Sequence, residues 1–544
     1  MRLTAAVLVG ALFVSCTGPS DPSPPPSASP TGETLSPEET LAAPTPTDEI
    51  FTPGEAILDV AITEPATLDP MRIQDSGAVL VARQLFESLT AWDPVSQAVI
   101  PAAAESWKAS RGGRRFRFNL RQGMTFHDGS PVRARDFVFA LNRIARKKNA
   151  SELAYTLERI RGFEAVNQLG DSNRMIGLQA SNDLTLIVTL SEPFQDFPAV
   201  LTHPGLVPLK SRFVRRIDSF LSEPIGNGPF QIADPWIPGE PVMMRAFEGF
   251  YQPALVDGLR MTPFSNAAES WLRFIDGEFH AAEVPAGRIE TAEENFGTLG
   301  FKPFLAGSYY GLNVRSKQLR RKKLRRAISI GIDRQAIATR IYKDTVQPPR
   351  GIVPQGMPGF EDNVCGDLCD FDPEKASELV AELPRRLRKV TLDYTRGEPH
   401  RAVAQAVRET LGAAGLEVEL KAYGFKRYLK RLRDGKQAVY RLGWIAEYPV
   451  PDVFLSALFG SDSPDNHSGF RSKQVDRVLR KAHREASDDE RIRLYKRAER
   501  LILDEIPIVP LGNFVTHWAV QNEVQGINFD VMGGFDAITV SLTE

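Results

Sequence analysis

Residues 439–454 read Val-Tyr-Arg-Leu-Gly-Trp-Ile-Ala-Glu-Tyr-Pro-Val-Pro-Asp-Val-Phe. They set one guanidinium, Arg441, and one carboxylate, Glu447, among the rings of Tyr440, Trp444, Tyr448 and Phe454. A charge among aromatic rings costs free energy unless something pairs with it. Three arrangements meet that demand. Arg441 and Glu447 pair with each other, Glu447 is a solvated loop carboxylate, or a bound molecule supplies the partner. Gly443 and Pro449 interrupt any regular element in the stretch.

Other candidates for chemistry are weaker. His127 and Asp128 suggest an acid–base pair, but neighbours in one turn rarely converge on one substrate. The run Pro-Ile-Gly-Asn-Gly-Pro-Phe at 224–230 is too short for a phosphate loop and lacks its Lys-Ser/Thr. His467 and His483 are too scattered for a metal site. The sequence holds no Gly-x-Ser-x-Gly elbow, no His-Glu-x-x-His pair and no plausible catalytic cysteine, which argues against a hydrolase. No enzyme and no cofactor are expected.

The elements that must position this stretch belong to a large α/β chain. At 544 residues it exceeds what one hydrophobic core serves, so two or three lobes are expected. Lys+Arg (66) and Asp+Glu (68) nearly balance, leaving no electrostatic case for a nucleic-acid partner. Even the run Arg-Arg-Lys-Lys-Leu-Arg-Arg at 320–326 carries an apolar stripe of Leu319, Leu324, Ile328 and Ile332, which predicts a helix with its cations on a solvated face.

The first residues read as an export signal: Arg2, then an apolar run over 3–14 too short to span a bilayer. The run closes at Phe-Val-Ser-Cys, which resembles a lipobox and implies diacylation of Cys16 and a stable membrane anchor. Residues 17–54, rich in Pro, Ser and Thr, are expected to form a disordered tether. Export permits disulfides. Cys365 and Cys369, in Cys-Gly-Asp-Leu-Cys, are expected to close a short disulfide loop, with a metal site as the competing reading.

Along the body, 56–62 reads as a strand and 79–89 as a helix. Arg111-Gly-Gly113 marks a hairpin after Trp107, and 116–120 alternates as a half-buried strand. Ser130 is placed to cap a helix with Pro131 in its first turn and Phe137, Leu141 and Ile144 on its buried face. Strands at 175–179 and 184–190 follow, then a short helix ending at Gly277. The succession of strand at 390–394, helix at 402–411 and strand at 416–420 implies a parallel sheet flanked by helices.

Several of these stretches stand in the order of a known family. Residues 64–70 resemble its Pro-x-Thr-Leu-Asp-Pro opening, 107–137 its Trp, Gly turn, Phe-x-Leu-Arg-x-Gly-x-x-Phe-x-Asp-Gly-x-Pro and Asp-Phe helix, and 325–334 its Arg-x-Ala-x-x-x-x-Ile-Asp-Arg. Residues 443–451 resemble its Gly-Trp-x-x-Asp-Tyr-x-x-Pro, with Glu447 where the family carries Asp. The chain thus resembles the family 5 extracellular solute-binding proteins, the oligopeptide- and dipeptide-binding lipoproteins of ABC importers.

The resemblance implies a two-lobed, type II periplasmic-binding-protein-like fold with an extra subdomain at about 85–190 and two hinge crossings, near 300–312 and 508–514. Lobe I would comprise 55–305 and 512–544, lobe II 306–511. It implies an interlobe cleft in which Glu447 takes a peptide ammonium, Arg441 a ligand carboxylate, and Trp444, Tyr448, Tyr309, Tyr310 and Asn313 line the wall. It further implies a monomer, delivery to an ABC permease with a separate ATPase, and a place on the outer face of the cytoplasmic membrane. A nickel chelate, haem, oligosaccharide or opine as ligand, or a sensor or adhesion role, are the alternatives within that fold.

Overall fold

The computed structural model describes residues 50–543. The expected signal segment, the expected lipidation at Cys16 and nearly all of the expected tether lie outside them. Phe51, assigned to the tether by its Pro-Thr-rich context, is instead buried beneath the Arg245 guanidinium. One bulky ring is enough to draw these residues onto the body.

Two strands of thirteen residues each, Gly300–Leu312 and Ile508–Val520, run antiparallel side by side through the middle of the molecule. Their ladder breaks between Pro303 and Gly307, where proline has no N–H to give. Residues 300–303 pair with 515–518, and 307–311 with 508–513. On one side of this pair lie Ala281–Glu283, Ile57–Thr63, Gly258–Phe264, Val242–Ala246 and Phe230–Ile232. On the other lie Val439–Ile445, Lys389–Thr395 and Glu417–Tyr423, the last two parallel and joined by the helix His400–Ala413. The two long strands are therefore the crossings between two α/β lobes.

Burial follows the same division. One core gathers Leu58, Val60, Leu85, Phe116 and Phe137 of the first lobe. The second lobe has a core on each face of its sheet, one around Tyr440, Leu442 and Trp444, the other around Tyr310, Leu392 and Val439. An antiparallel sheet of Ala104–Ser110, Arg115–Leu120, Thr185–Thr189 and Leu178–Asn182 forms the extra subdomain, with the stripe Phe137, Leu141 and Ile144 of the helix Ala134–Ala145 buried as expected.

Two local expectations need correction. The helix begins at Ala134 rather than after Ser130, because residues 124–132 close a tight hairpin in which Phe126 N–H donates to the Ser130 carbonyl at 2.8 Å. The Ser130 hydroxyl goes to Asp128, and Asp136 caps the helix by accepting from the Arg133 N–H at 2.8 Å. In the basic run, Arg325 is not on a solvated face. It is buried, and it donates to the Leu319 carbonyl at 2.7 Å and the Glu505 carbonyl at 2.6 Å, tying down a helix end. Cys365 and Cys369 are disulfide-bonded.

Candidate functional site

The strand Val439–Ile445 is buried on both faces, so its alternation sends neighbours into different surroundings. Tyr440, Leu442 and Trp444 enter one core. Arg441, opposite Tyr310, turns to the other face, where its Nη1 lies 3.4 Å from His400 Nε2. Burial and the adjacent Arg441 charge push the His400 imidazole down to about 3. The strand ends where Ala446 N–H donates to the Leu305 carbonyl at 2.8 Å. The chain then turns through Glu447, Tyr448 and Pro449 into the helix Asp452–Phe459.

That turn lies at the junction of two cavities. One, of about 380 Å³, separates the lobes and is walled by Ile73, Arg83, Trp92 and Glu283 on the first-lobe side, by Ile445 and Glu447 opposite, and by Phe304 of the crossing strand between them. The other, of about 490 Å³, is walled by Arg159, Trp444, Tyr448, Asp452 and His483. Glu447 and Tyr155 line both. Tyr448 packs against the first-lobe core and a second-lobe core together.

Of the seven residues proposed from sequence as ligand contacts, the structure brings Glu447, Trp444 and Tyr448 together at this junction. It does not bring the other four to either cavity. Arg441 is held under the sheet against His400. Tyr309 and Tyr310 are packed into opposite cores, Tyr310 with no exposure at all. Asn313 is a turn-former: its Nδ2 donates to the Gln437 carbonyl at 2.9 Å and its Oδ1 accepts from the Arg315 N–H at 3.1 Å.

Sequence reasoning missed the polar cluster beside Glu447. Asp452, nearly fully buried, accepts from Arg159 Nη2 at 2.9 Å, from His483 Nε2 at 2.6 Å and from the Ser456 hydroxyl. Burial opposes its ionisation, but His483, Arg159 and Ser456 outweigh burial and hold the carboxyl well below the usual range. Ser456 and His483 do not form a nucleophilic pair backed by Asp452, because the same Nε2 faces both oxygens. Asp452 stood in the aromatic stretch, but nothing local marks Arg159 or His483 as its partners.

The walls of the interlobe cavity are mostly settled electrostatically. Arg83 pairs with Asp530 and lies 3.9 Å from Asp536. Asp75 caps a helix by accepting from the Ala78 N–H at 2.7 Å. Burial, with the Arg83 charge adding to it, pushes His203 down to about 4, and burial alone does the same to His517, so both are neutral at pH 7. Burial alone pushes Glu283 up to about 7.

The model of the family described as "Bacterial extracellular solute-binding proteins, family 5 Middle" matches residues 98–466. The oligopeptide-binding protein OppA of Bacillus subtilis is 26% identical over 494 residues, spanning 87% of this chain and 90% of that protein. The probable deoxycholate-binding periplasmic protein YgiS of Escherichia coli is 29% identical over 468 residues, spanning 82% and 86%. The unliganded open form of the periplasmic murein tripeptide-binding protein MppA has the same fold, with a TM-score of 0.78 and 23% identity over 90% of this chain and 99% of that one.

Proposed function

The chain belongs to the bacterial extracellular solute-binding proteins of family 5, and from that premise we propose that it captures oligopeptides or dipeptides between its lobes for an ABC importer. One observation carries the reading: Glu447 stands where the interlobe cavity meets the polar one, beside Trp444, Tyr448 and Tyr155. A carboxylate at such a seam suits a peptide ammonium. The remaining chain would run into either cavity, its backbone hydrogen-bonded like an added strand. Closure of the lobes would exclude water and strengthen that charge pair.

In this reading Cys16 carries the lipid anchor and the loaded protein docks on a membrane permease driven by a separate ATPase. The first lobe comprises 55–305 and 512–544, and the second 306–511. Arg441 is left out of the proposed ligand contacts, since its guanidinium faces His400 beneath the sheet. The test is calorimetry with di- to pentapeptides. Glu447→Gln is expected to weaken binding by about 2–5 kcal/mol, the cost of removing one partner of a desolvated pair. An unchanged Kd removes Glu447 from the site.

A further inference from the structure

Glu283 ends the short strand Ala281–Glu283, where it pairs with Trp518 of the returning crossing strand. The next residue fixes its position: Val284 N–H donates to the His517 carbonyl at 2.8 Å. The side chain is half-buried and lines the interlobe cavity from the first-lobe side. Among the described residues no hydrogen bond and no ion pair engages it, and burial alone perturbs it. A half-buried carboxylate on the cleft wall with no partner from its own chain keeps its hydrogen-bonding capacity open to whatever enters the cleft.

The charged neighbours cannot serve. Arg83 is committed to Asp530 and Asp536. His203 and His517 are neutral. Asp75 is a helix cap, and Glu447 faces the same cavity from the second lobe. On the neighbouring strand, Asp59 lies 3.3 Å from Arg260 Nε and 3.8 Å from His280 Nδ1. On the helix that follows Phe264, Arg273 is taken by Glu278. None of these groups pairs with Glu283, which leaves its carboxylate open to a cation that the ligand brings.

We propose that Glu283 receives a second cationic group of the ligand, the ammonium or guanidinium of a basic side chain, so that the cleft prefers peptides containing lysine or arginine. This rests on the peptide reading above and deepens it. With Glu447 on the ligand's terminal ammonium, the two carboxylates grip one guest from opposite lobes. A guest of that kind contributes to closure as well as to affinity.

The experiment is calorimetry of the full chain with Lys-Ala-Ala, Ala-Lys-Ala and Ala-Ala-Lys, and with the same peptides carrying norleucine in place of lysine. Norleucine keeps the length of the side chain and drops its charge. One lysine peptide is expected to bind about tenfold or more tighter than its norleucine counterpart, as a charge-assisted hydrogen bond requires. Glu283→Gln is expected to abolish that preference, the lysine and norleucine peptides then binding within about twofold of each other. Binding of norleucine peptides with no lysine preference, or a preference that survives Glu283→Gln, overturns the assignment and leaves the peptide reading intact. Absence of binding by every peptide overturns both.

Discussion

Arg159 and Asp452 meet 2.9 Å apart across the seam between the extra subdomain and the second lobe, 293 positions apart in the chain. The guanidinium also lies over the Phe194 ring at 4.1 Å. Close by, Asp196 accepts from Arg491 Nε at 2.5 Å and from the Tyr495 hydroxyl at 2.8 Å. The seam beside Glu447 is therefore held by two carboxylates, each with partners on the opposite side.

Asp452→Asn keeps the shape of the side chain but leaves Arg159 and His483 without their shared anion. Loss of one partner of a buried pair costs about 3–5 kcal/mol. The expected result is a lower midpoint in urea for the loss of near-ultraviolet signal. The pH dependence follows from the sign of the shift. The folded carboxyl lies below its ordinary value of 3.8, so its contribution is complete above that pH and is lost as pH falls below it. Acid unfolding should therefore begin at a higher pH when Arg159→Met removes one of the groups holding Asp452 ionised.

Glu447 carries one methylene more than the aspartate that the family resemblance leads one to expect. On the short turn between Ala446 and the helix Asp452–Phe459, the extra length sets how far the carboxylate reaches into the two cavities. Glu447→Asp should retain its charge but withdraw it, weakening dipeptide binding by roughly 1.5–3 kcal/mol, the range of one hydrogen bond to a charged group. Calorimetry at matched ionic strength checks this, and affinity that rises instead assigns the deeper anchor to another residue.

What was legible in the chain was whatever a short window can encode. The hairpin at Arg111, Gly112 and Gly113, the helix stripe of Phe137, Leu141 and Ile144, and the parallel strands around the helix His400–Ala413 all show a local period or turn residue. Glu447 stood out in the sequence because a carboxylate among aromatic rings calls for a partner of some kind. Arg441 and Tyr310, expected at the cleft, lie beneath the sheet and in a core for a different reason. In a strand buried on both faces, composition does not tell the face toward the cavity from the face toward His400. Arg159, His483 and Glu283 had no local signal, because their roles arise from elements that meet only when the lobes assemble. Arg325 looked like its solvated neighbours, yet the carbonyls at a distant helix end draw it inside.

Glu499 is fully buried, its Oε1 accepting from the N–H groups of Ile352 at 2.7 Å and Val353 at 2.9 Å while Oε2 has no partner. A Cβ on Gly351 would lie 2.5 Å from that Oε1, so the segment approaches the carboxyl as only glycine permits. Burial pushes Glu499 up to about 7, from an ordinary 4.5. The folded state therefore holds the proton. Stability from this group is greatest below pH 4.5, declines between 4.5 and 7, and levels off above, a loss on the order of 3 kcal/mol. Thermal midpoints should fall over that window in the parent chain, and Glu499→Gln, which cannot ionise, should flatten the fall.

Glu283 titrates in the same region but faces the cavity, so its proton is coupled to ligand instead of to a backbone turn. A cation placed against it favours the charged form and lowers its folded value, so binding expels the proton the empty cleft holds. The affinity of a lysine peptide should then rise as pH increases from 5.5, by at most tenfold per unit, and flatten above about 7 where the empty cleft is already ionised. Norleucine peptides should show no such rise, and neither should Glu283→Gln with either ligand. His203 and His517, held near 4, are neutral throughout that range and cannot produce the slope. Calorimetry at pH 7 in two buffers of different ionisation enthalpy counts the expelled proton directly. Equal apparent enthalpies in the two buffers for the lysine peptide would show that its cation displaces no proton from Glu283.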